Sequence, residues 1–162
     1  MKQPLNFAVV GCGMFAQSFH LPNIVRSKKA KLQVCCSRSD ATLDLAKDKF
    51  KPSRVTKDYK EAIADPAVDV ICLSTTEKIR LEVIEIAAEY KKPVYCEKPL
   101  ARTLAEMYEI RKVVQQSGIP FCVGHNRRSS PAMVAAQKIF RQHMTNPRPC
   151  LWRFRSEEHT SE

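Results

Sequence analysis

Apolar runs and helical segments alternate from Leu5 to Val123, and that alternation admits very few folds. The runs Leu5 to Val10, Leu32 to Cys36, Arg54 to Thr56, Val68 to Leu73, Val94 to Cys96 and Phe121 to Val123 read as strands. Between them fall helices from Met14 to about Arg26, from Asp40 to Phe50, from an Asp58 cap to Ala64, from Glu77 to Tyr90, and from a Thr103 cap to Gly118. His20-Leu21-Pro22 should bend the first helix, because Pro22 brings no amide to it. In the fourth, Ile79, Val83, Ile86 and Ala87 share one face, and Thr103 with Glu106 forms a capping box on the fifth. Strands joined through helices run parallel, so the expected fold is α/β, a doubly wound parallel sheet. Its ligands bind beyond the carboxyl ends of the strands.

One domain of ordinary size accounts for 162 residues, and a second complete domain does not fit. Runs such as Phe7 to Val10 and Val70 to Leu73 fall far short of the ~20 residues of a membrane helix, so no membrane partner is expected. The apolar stretch from Leu5 is broken by Asn6, Gly11 and Gly13, and it reads as a strand rather than a secretion signal. The net charge of +10 comes from 27 Lys and Arg against 17 Asp and Glu. Apart from Lys28-Lys29, Lys91-Lys92 and Arg127-Arg128, the cations are spread among acids and lack interleaved aromatics, which argues against nucleic acid and for a small anionic ligand. Seven cysteines without C-x-x-C or metal-like histidine spacing indicate neither a disulfide framework nor a metal site, and a reducing cytoplasm is the expected location. Cys35, Cys36, Cys72, Cys96 and Cys122 fall in or at the ends of strands, as small apolar filler.

Distinctive polar chemistry follows nearly every strand: Gly11 to Ala16, then Ser37-Arg38-Ser39, Ser74-Thr75-Thr76, Glu97-Lys98-Pro99 and Gly124-His125-Asn126. The first has the form G-x-G-x-x-A between a strand and a helix. Gly11 permits a tight turn, Gly13 lets the backbone approach a pyrophosphate, and Ala16 keeps the helix close to the sheet, with Met14 and Phe15 opening it. At the end of the second strand an NAD site usually carries an acid for the ribose hydroxyls, whereas this chain has Ser37 followed by Arg38, which suit a 2′-phosphate. NADP is therefore the expected cofactor, and NAD stays open because Asp40 or Asp44 lies near.

Gly11 to Ala16, His20-Leu21-Pro22, Cys96 to Ala101, Val123 to Arg128 and Ser130-Pro131-Ala132 together resemble the glucose-fructose oxidoreductase, inositol dehydrogenase and rhizopine catabolism family, Gfo/Idh/MocA, over about Leu5 to Phe154. The resemblance implies an NAD(P)-dependent oxidoreductase with a Rossmann first domain. It would transfer a hydride between a nicotinamide cofactor and a sugar, polyol or related secondary alcohol. Lys98 matches the family's catalytic lysine, which stabilises charge on the substrate oxygen, and Glu97 and Pro99 position it. The strand-end residues Ser74, Thr75, Thr76, Glu97 and Lys98 join Gly11, Gly13, Met14, Phe15, Ala16, Ser37 and Arg38 as cofactor-binding candidates. The family's usual Pro-Asn and following His after the fourth strand are replaced by Thr76, Glu77 and Arg80, and Ser129 stands where Phe is common. His20 and His143 read as structural; for His125 a structural and a catalytic role both stand.

Residues 1–125 are thus expected to form the nucleotide-binding domain, and 126–154 a linker helix from Ser130-Pro131 to about Met144 followed by the first strand, Pro149 to Phe154, of a truncated substrate domain. The rest of that domain, where the family completes its active site and often its homo-oligomer interface, is expected to be missing, so this fragment should bind nucleotide without turnover. Residues 155–162, Arg-Ser-Glu-Glu-His-Thr-Ser-Glu, read as an artefact. The library adapter AGA TCG GAA GAG CAC ACG TCT GAA translates to that octapeptide. A non-catalytic nucleotide-binding or interaction module is the alternative function, and it gives no reason for a lysine at Lys98.

Overall fold

The computed structural model describes residues 3–143. The chain divides into two units, Met1–His125 and Asn126–Glu162. In the first, six strands, β1 (Leu5–Val10), β2 (Ala30–Cys36), β3 (Arg54–Thr56), β4 (Val70–Leu73), β5 (Val94–Cys96) and β6 (Phe121–Val123), form one parallel sheet in the order β3-β2-β1-β4-β5-β6. This is the strand order of a dinucleotide-binding sheet, with the direction of winding reversing between β1 and β4. Because every pair is parallel, the turns beginning at Gly11, Ser37, Lys57, Ser74, Glu97 and Gly124 share one edge.

The intervening helices are α1 (Leu21–Arg26), α2 (Asp40–Phe50), α3 (Tyr59–Ala64), α4 (Arg80–Glu89) and α5 (Leu104–Ser117). Side-chain caps start three of them. Ser39 Oγ accepts from Thr42 N–H at 3.3 Å, Asp58 Oδ1 from Lys60 N–H at 2.7 Å, and Thr103 Oγ1 from Glu106 N–H at 3.2 Å. The return arm of the expected capping box is displaced by one residue, for the Glu106 carboxylate accepts from Arg102 N–H at 3.0 Å and pairs with the Arg102 guanidinium. Gly118, with φ of 68°, ends α5 in the left-handed region where a side chain would be strained.

Side chains alternate across the sheet into two cores. Ala8, Val10, Val34, Ile71 and Leu73 pack with α3, α4 and α5, while Val9, Cys35 and Cys72 pack with α1 and α2. The buried stripe of α4 runs through Val83, Ile84, Ala87 and Ala88, displaced from the expected one: Ile79 and Ile86 are only partly buried. α1 and α2 leave part of their face open, and an apolar groove of about 580 Å³ there is lined by Phe7, Cys72, Tyr95, Phe121 and Cys122 among others. Burial pushes the Cys36 and Cys72 thiols up to about 12, as expected of inert filler. Cys122 departs from that expectation, being exposed on the edge strand β6.

The described part of the second unit is a short 3₁₀ turn, Asn126–Ser129, and helix α6, Pro131–His143. Ser130 Oγ accepts from Met133 N–H at 3.4 Å to start the helix. The strand expected over Pro149 to Phe154 and the tail at 155–162 lie outside the described residues. Among the described residues, no helix is long and apolar enough to cross a membrane.

Candidate cofactor site

The turn after β1 is built by its glycines for two different reasons. Gly11 has φ of 96°, and a Cβ there would stand 2.7 Å from the backbone carbonyl of Ser74. Its amide donates to Cys36 O at 2.9 Å, so this glycine lets the turn nest between the ends of β2 and β4. A Cβ at Gly13 would meet nothing within 4 Å, which leaves bare backbone facing open space. Beyond it the first helical hydrogen bond runs from Gln17 N–H to Gly13 O at 3.0 Å, so the amides of Met14 and Phe15 lead the helix ahead of its bonding ladder. Ala16 is fully buried against the sheet.

Pro22 affects this helix earlier than its position alone foretells. Residues Ala16–His20 wind as a π-helix, with Leu21 N–H donating to Ala16 O, before α1 begins. Pro22 has no amide for an ordinary ladder, and the wider turn accommodates its absence. The same turn aims His20 inward. Its ring lies edge-on to Phe15 and Tyr95, with centroids 5.4 and 5.5 Å away, and Nε2 sits 3.0 Å from Glu97 Oε1, out of line for a formal hydrogen bond.

Glu97 is the centre of a buried polar cluster at the end of β5, only 5% exposed. Its Oε2 accepts from Lys98 N–H at 3.1 Å, and the Tyr95 hydroxyl stands 3.5 Å from Oε1. Burial, with Glu97 adding to it, pushes the Tyr95 phenol up to about 12. A Cβ on Gly124 would come within 2.5 Å of the Tyr95 hydroxyl and 3.0 Å of Glu97 Oε1, so only bare backbone closes over this cluster. The Lys98-Pro99 bond is cis, and the Lys98 side chain is exposed.

A cavity of about 920 Å³ opens at the same sheet edge. Gly11, Ser37, Arg38, Thr75 and Thr76 all line it, which brings five of the sequence-derived candidates together. The others stand elsewhere: Gly13 and Met14 border a groove between α1 and α2, Ala16 is in the core, and Phe15, Ser74, Glu97 and Lys98 do not line the cavity. Lys57, Tyr59, Lys78 and Arg102 also line it, and sequence reading passed them over because each sits singly in a polar stretch. Asp40 is engaged by Lys57 Nζ at 2.7 Å, and the Asp58 carboxylate is used as the cap of α3. Arg80 was legible only as a departure, although it stands three residues before Val83 on the inward stripe of α4.

The defining profile of the Gfo/Idh/MocA oxidoreductase family, with its NAD-binding Rossmann fold, matches residues 5–125. The chain belongs to that family. It is 28% identical over 131 residues to the uncharacterized oxidoreductase YrbE of Bacillus subtilis, a match covering 81% of this chain and 38% of the relative. With D-apiose dehydrogenase of Rhizobium rhizogenes it shares 29% identity over 136 residues, 83% of this chain and 39% of the enzyme. A solved scyllo-inositol dehydrogenase of Lactobacillus casei, with bound NAD(H) and scyllo-inositol, superposes with a TM-score of 0.81 at 26% identity over 86% of this chain and 41% of that one. The chain therefore spans about two-fifths of the length of the relatives it matches.

The residues present fit a nicotinamide dinucleotide. Gly13 leaves open space where a side chain would stand, the amides of Met14 and Phe15 precede the first helical hydrogen bond, and Arg38, Lys57 and Lys78 line the cavity as cations.

Proposed function

We propose that this chain is the cofactor-binding part of an NAD(P)-dependent oxidoreductase that moves a hydride between a nicotinamide and a sugar, polyol or related secondary alcohol. The observation that carries this reading is the pairing of an open glycine turn with an exposed lysine, Lys98, whose backbone is tied to the buried Glu97. The dehydrogenases of D-apiose and scyllo-inositol among its relatives support a polyhydroxylated substrate. A bound nicotinamide supplies the hydride chemistry. Gly13, Met14 and Phe15 hold the pyrophosphate through backbone amides, while Ser37 and Arg38 hold the adenosine end. Lys98 donates a hydrogen bond to the substrate oxygen and steadies its negative charge, a contribution on the order of 10²-fold or more in rate.

NADP is the preferred cofactor in this reading. Ser37 and Arg38 line the cavity at the end of β2; Asp40, the first acid after them in sequence, is held by Lys57, and Asp58, which lines the cavity, accepts from Lys60 N–H as the cap of α3. The 162-residue chain binds the dinucleotide without turnover, since the proton acceptor and substrate pocket belong to the remainder of the protein. Calorimetry with NADP tests the first half, and nicotinamide absorbance with a panel of polyols tests the second. Lys98→Met in the full-length protein should leave NADP affinity within about twofold and lower kcat by ~10²-fold or more. Sustained turnover by the 162-residue chain, or full activity without Lys98, overturns the reading.

A further inference from the structure

Arg80 is only 3% exposed, although it stands at the first position of α4, beside the candidate site. Its guanidinium holds two turns at once. Nη1 donates to the carbonyl of Glu97 at 2.6 Å, while Nε and Nη2 both donate to the carbonyl of Thr75 at 3.2 and 2.6 Å. The Glu77 carboxylate lies 3.8 Å away. These carbonyls follow β5 and β4, which are neighbours in the sheet and pair through Cys96 and Leu73 at their ends. A planar fork with donors on two edges fixes the separation of two acceptors, which an ammonium or an imidazole cannot do.

Packing alone gives no reason for this residue. The next inward positions of α4 are Val83, Ile84 and Ala87, and an apolar side chain at residue 80 would fill the same space without desolvating a cation. The bonds it makes are instead directed at the two turns that carry Thr75, Thr76 and Lys98. Glu97 is thereby engaged at both ends, its carbonyl by Arg80 and its carboxylate by the Lys98 amide.

We propose that Arg80 is a positioning residue for the nicotinamide half of the cofactor site. It sets the distance between the Ser74-Thr75-Thr76 turn and the Glu97-Lys98-Pro99 turn, and so the place of Lys98 relative to the nicotinamide ring. The inference rests on the dinucleotide reading given above. It predicts that loss of the fork acts on the nicotinamide end of the ligand and spares the adenosine end, which in this reading Ser37 and Arg38 hold after β2.

Two probes separate those ends. The 162-residue chain is titrated by calorimetry with NADPH and with 2′-phospho-ADP-ribose, the same molecule without its nicotinamide. Arg80→Met should weaken NADPH about tenfold and 2′-phospho-ADP-ribose less than twofold. Arg80→Lys, which keeps the charge but offers one point donor, should show a smaller loss with the same selectivity, and it carries the comparison if Arg80→Met does not fold. Equal weakening of both probes, or of neither, overturns the inference while leaving the dinucleotide reading intact. Failure of both variants to fold also overturns it, because Arg80 would then be structural only. A wild-type chain that binds neither probe overturns the dinucleotide reading, and this inference with it.

Discussion

Nε2 of His20 lies 3.0 Å from Oε1 of Glu97, which joins the π-helical turn behind the glycine loop to the turn that follows β5. The carboxylate favours an imidazolium here and burial opposes it. Burial is the larger effect, so the His20 pKa is held below its ordinary value of 6.5.

The sign of the resulting pH dependence follows from linkage. With the folded pKa below the unfolded one, the unfolded chain takes up this proton first as the solution is acidified. The stability from neutral His20 is therefore complete above the unfolded value and is lost as pH falls through the folded one. Thermal denaturation at pH 7 and pH 5 should show a larger loss of Tm for wild type than for His20→Gln, which has no imidazole to titrate. Equal losses in the two proteins would show that Glu97 compensates the burial of His20 fully.

The two glycines of the first turn should respond oppositely to alanine. Gly11→Ala forces a side chain into a left-handed conformation and onto the Ser74 backbone, and it should destabilise the chain by ~2–4 kcal/mol, read by urea denaturation. Gly13→Ala meets open space and should change stability by less than about 0.5 kcal/mol. In the proposed binding mode its methyl group stands where a phosphate approaches, so NADP affinity measured by calorimetry should fall about tenfold or more, each tenfold being about 1.4 kcal/mol. Unchanged affinity in Gly13→Ala would place the pyrophosphate elsewhere.

The turn after β2 should decide between the two nicotinamide cofactors. Arg38→Ala removes a cavity-lining cation and should cost NADP about tenfold in affinity, with little effect on NAD. Ser37→Asp sets a carboxylate against a 2′-phosphate and should reverse the preference; at 4 Å and an effective dielectric of 20 the repulsion is up to ~4 kcal/mol. Parallel titrations of both nucleotides measure the ratio. Wild type that binds NAD as tightly as NADP, with no response to Arg38→Ala, refutes the assignment.

What the sequence disclosed about this fold was mostly local. Ser39, Asp58 and Thr103 signal helix starts through their own oxygens, Gly118 signals a stop through its φ, and the alternation of strands with helices implies a parallel sheet. The surprises are tertiary. Arg80 reads in sequence only as a departure from the family pattern, because nothing near it names the Glu97 carbonyl as its partner 17 residues away. Cys122 has the neighbours of a core thiol, yet its strand lies at the sheet edge. Ile84 outranks Ile86 in burial because two packed neighbours, α3 and α5, set the orientation of α4. At the candidate site, the glycine turn and the strand-end polar residues were legible as motifs, whereas the contact between His20 and Glu97 joins residues that no short motif contains.

The central position of β1 has a consequence for how the chain is made. Within this sheet Leu5–Val10 precedes the other strands in sequence, yet its second neighbour, β4, begins only at Val70, after three helices and two other strands. One edge of an almost wholly apolar strand therefore stays open through more than a third of synthesis of this chain, and non-local pairing of this kind slows folding. During that interval β1 and β2 offer a ready template to any other nascent or unfolded chain, and chaperone capture is most valuable before Leu73 has been added.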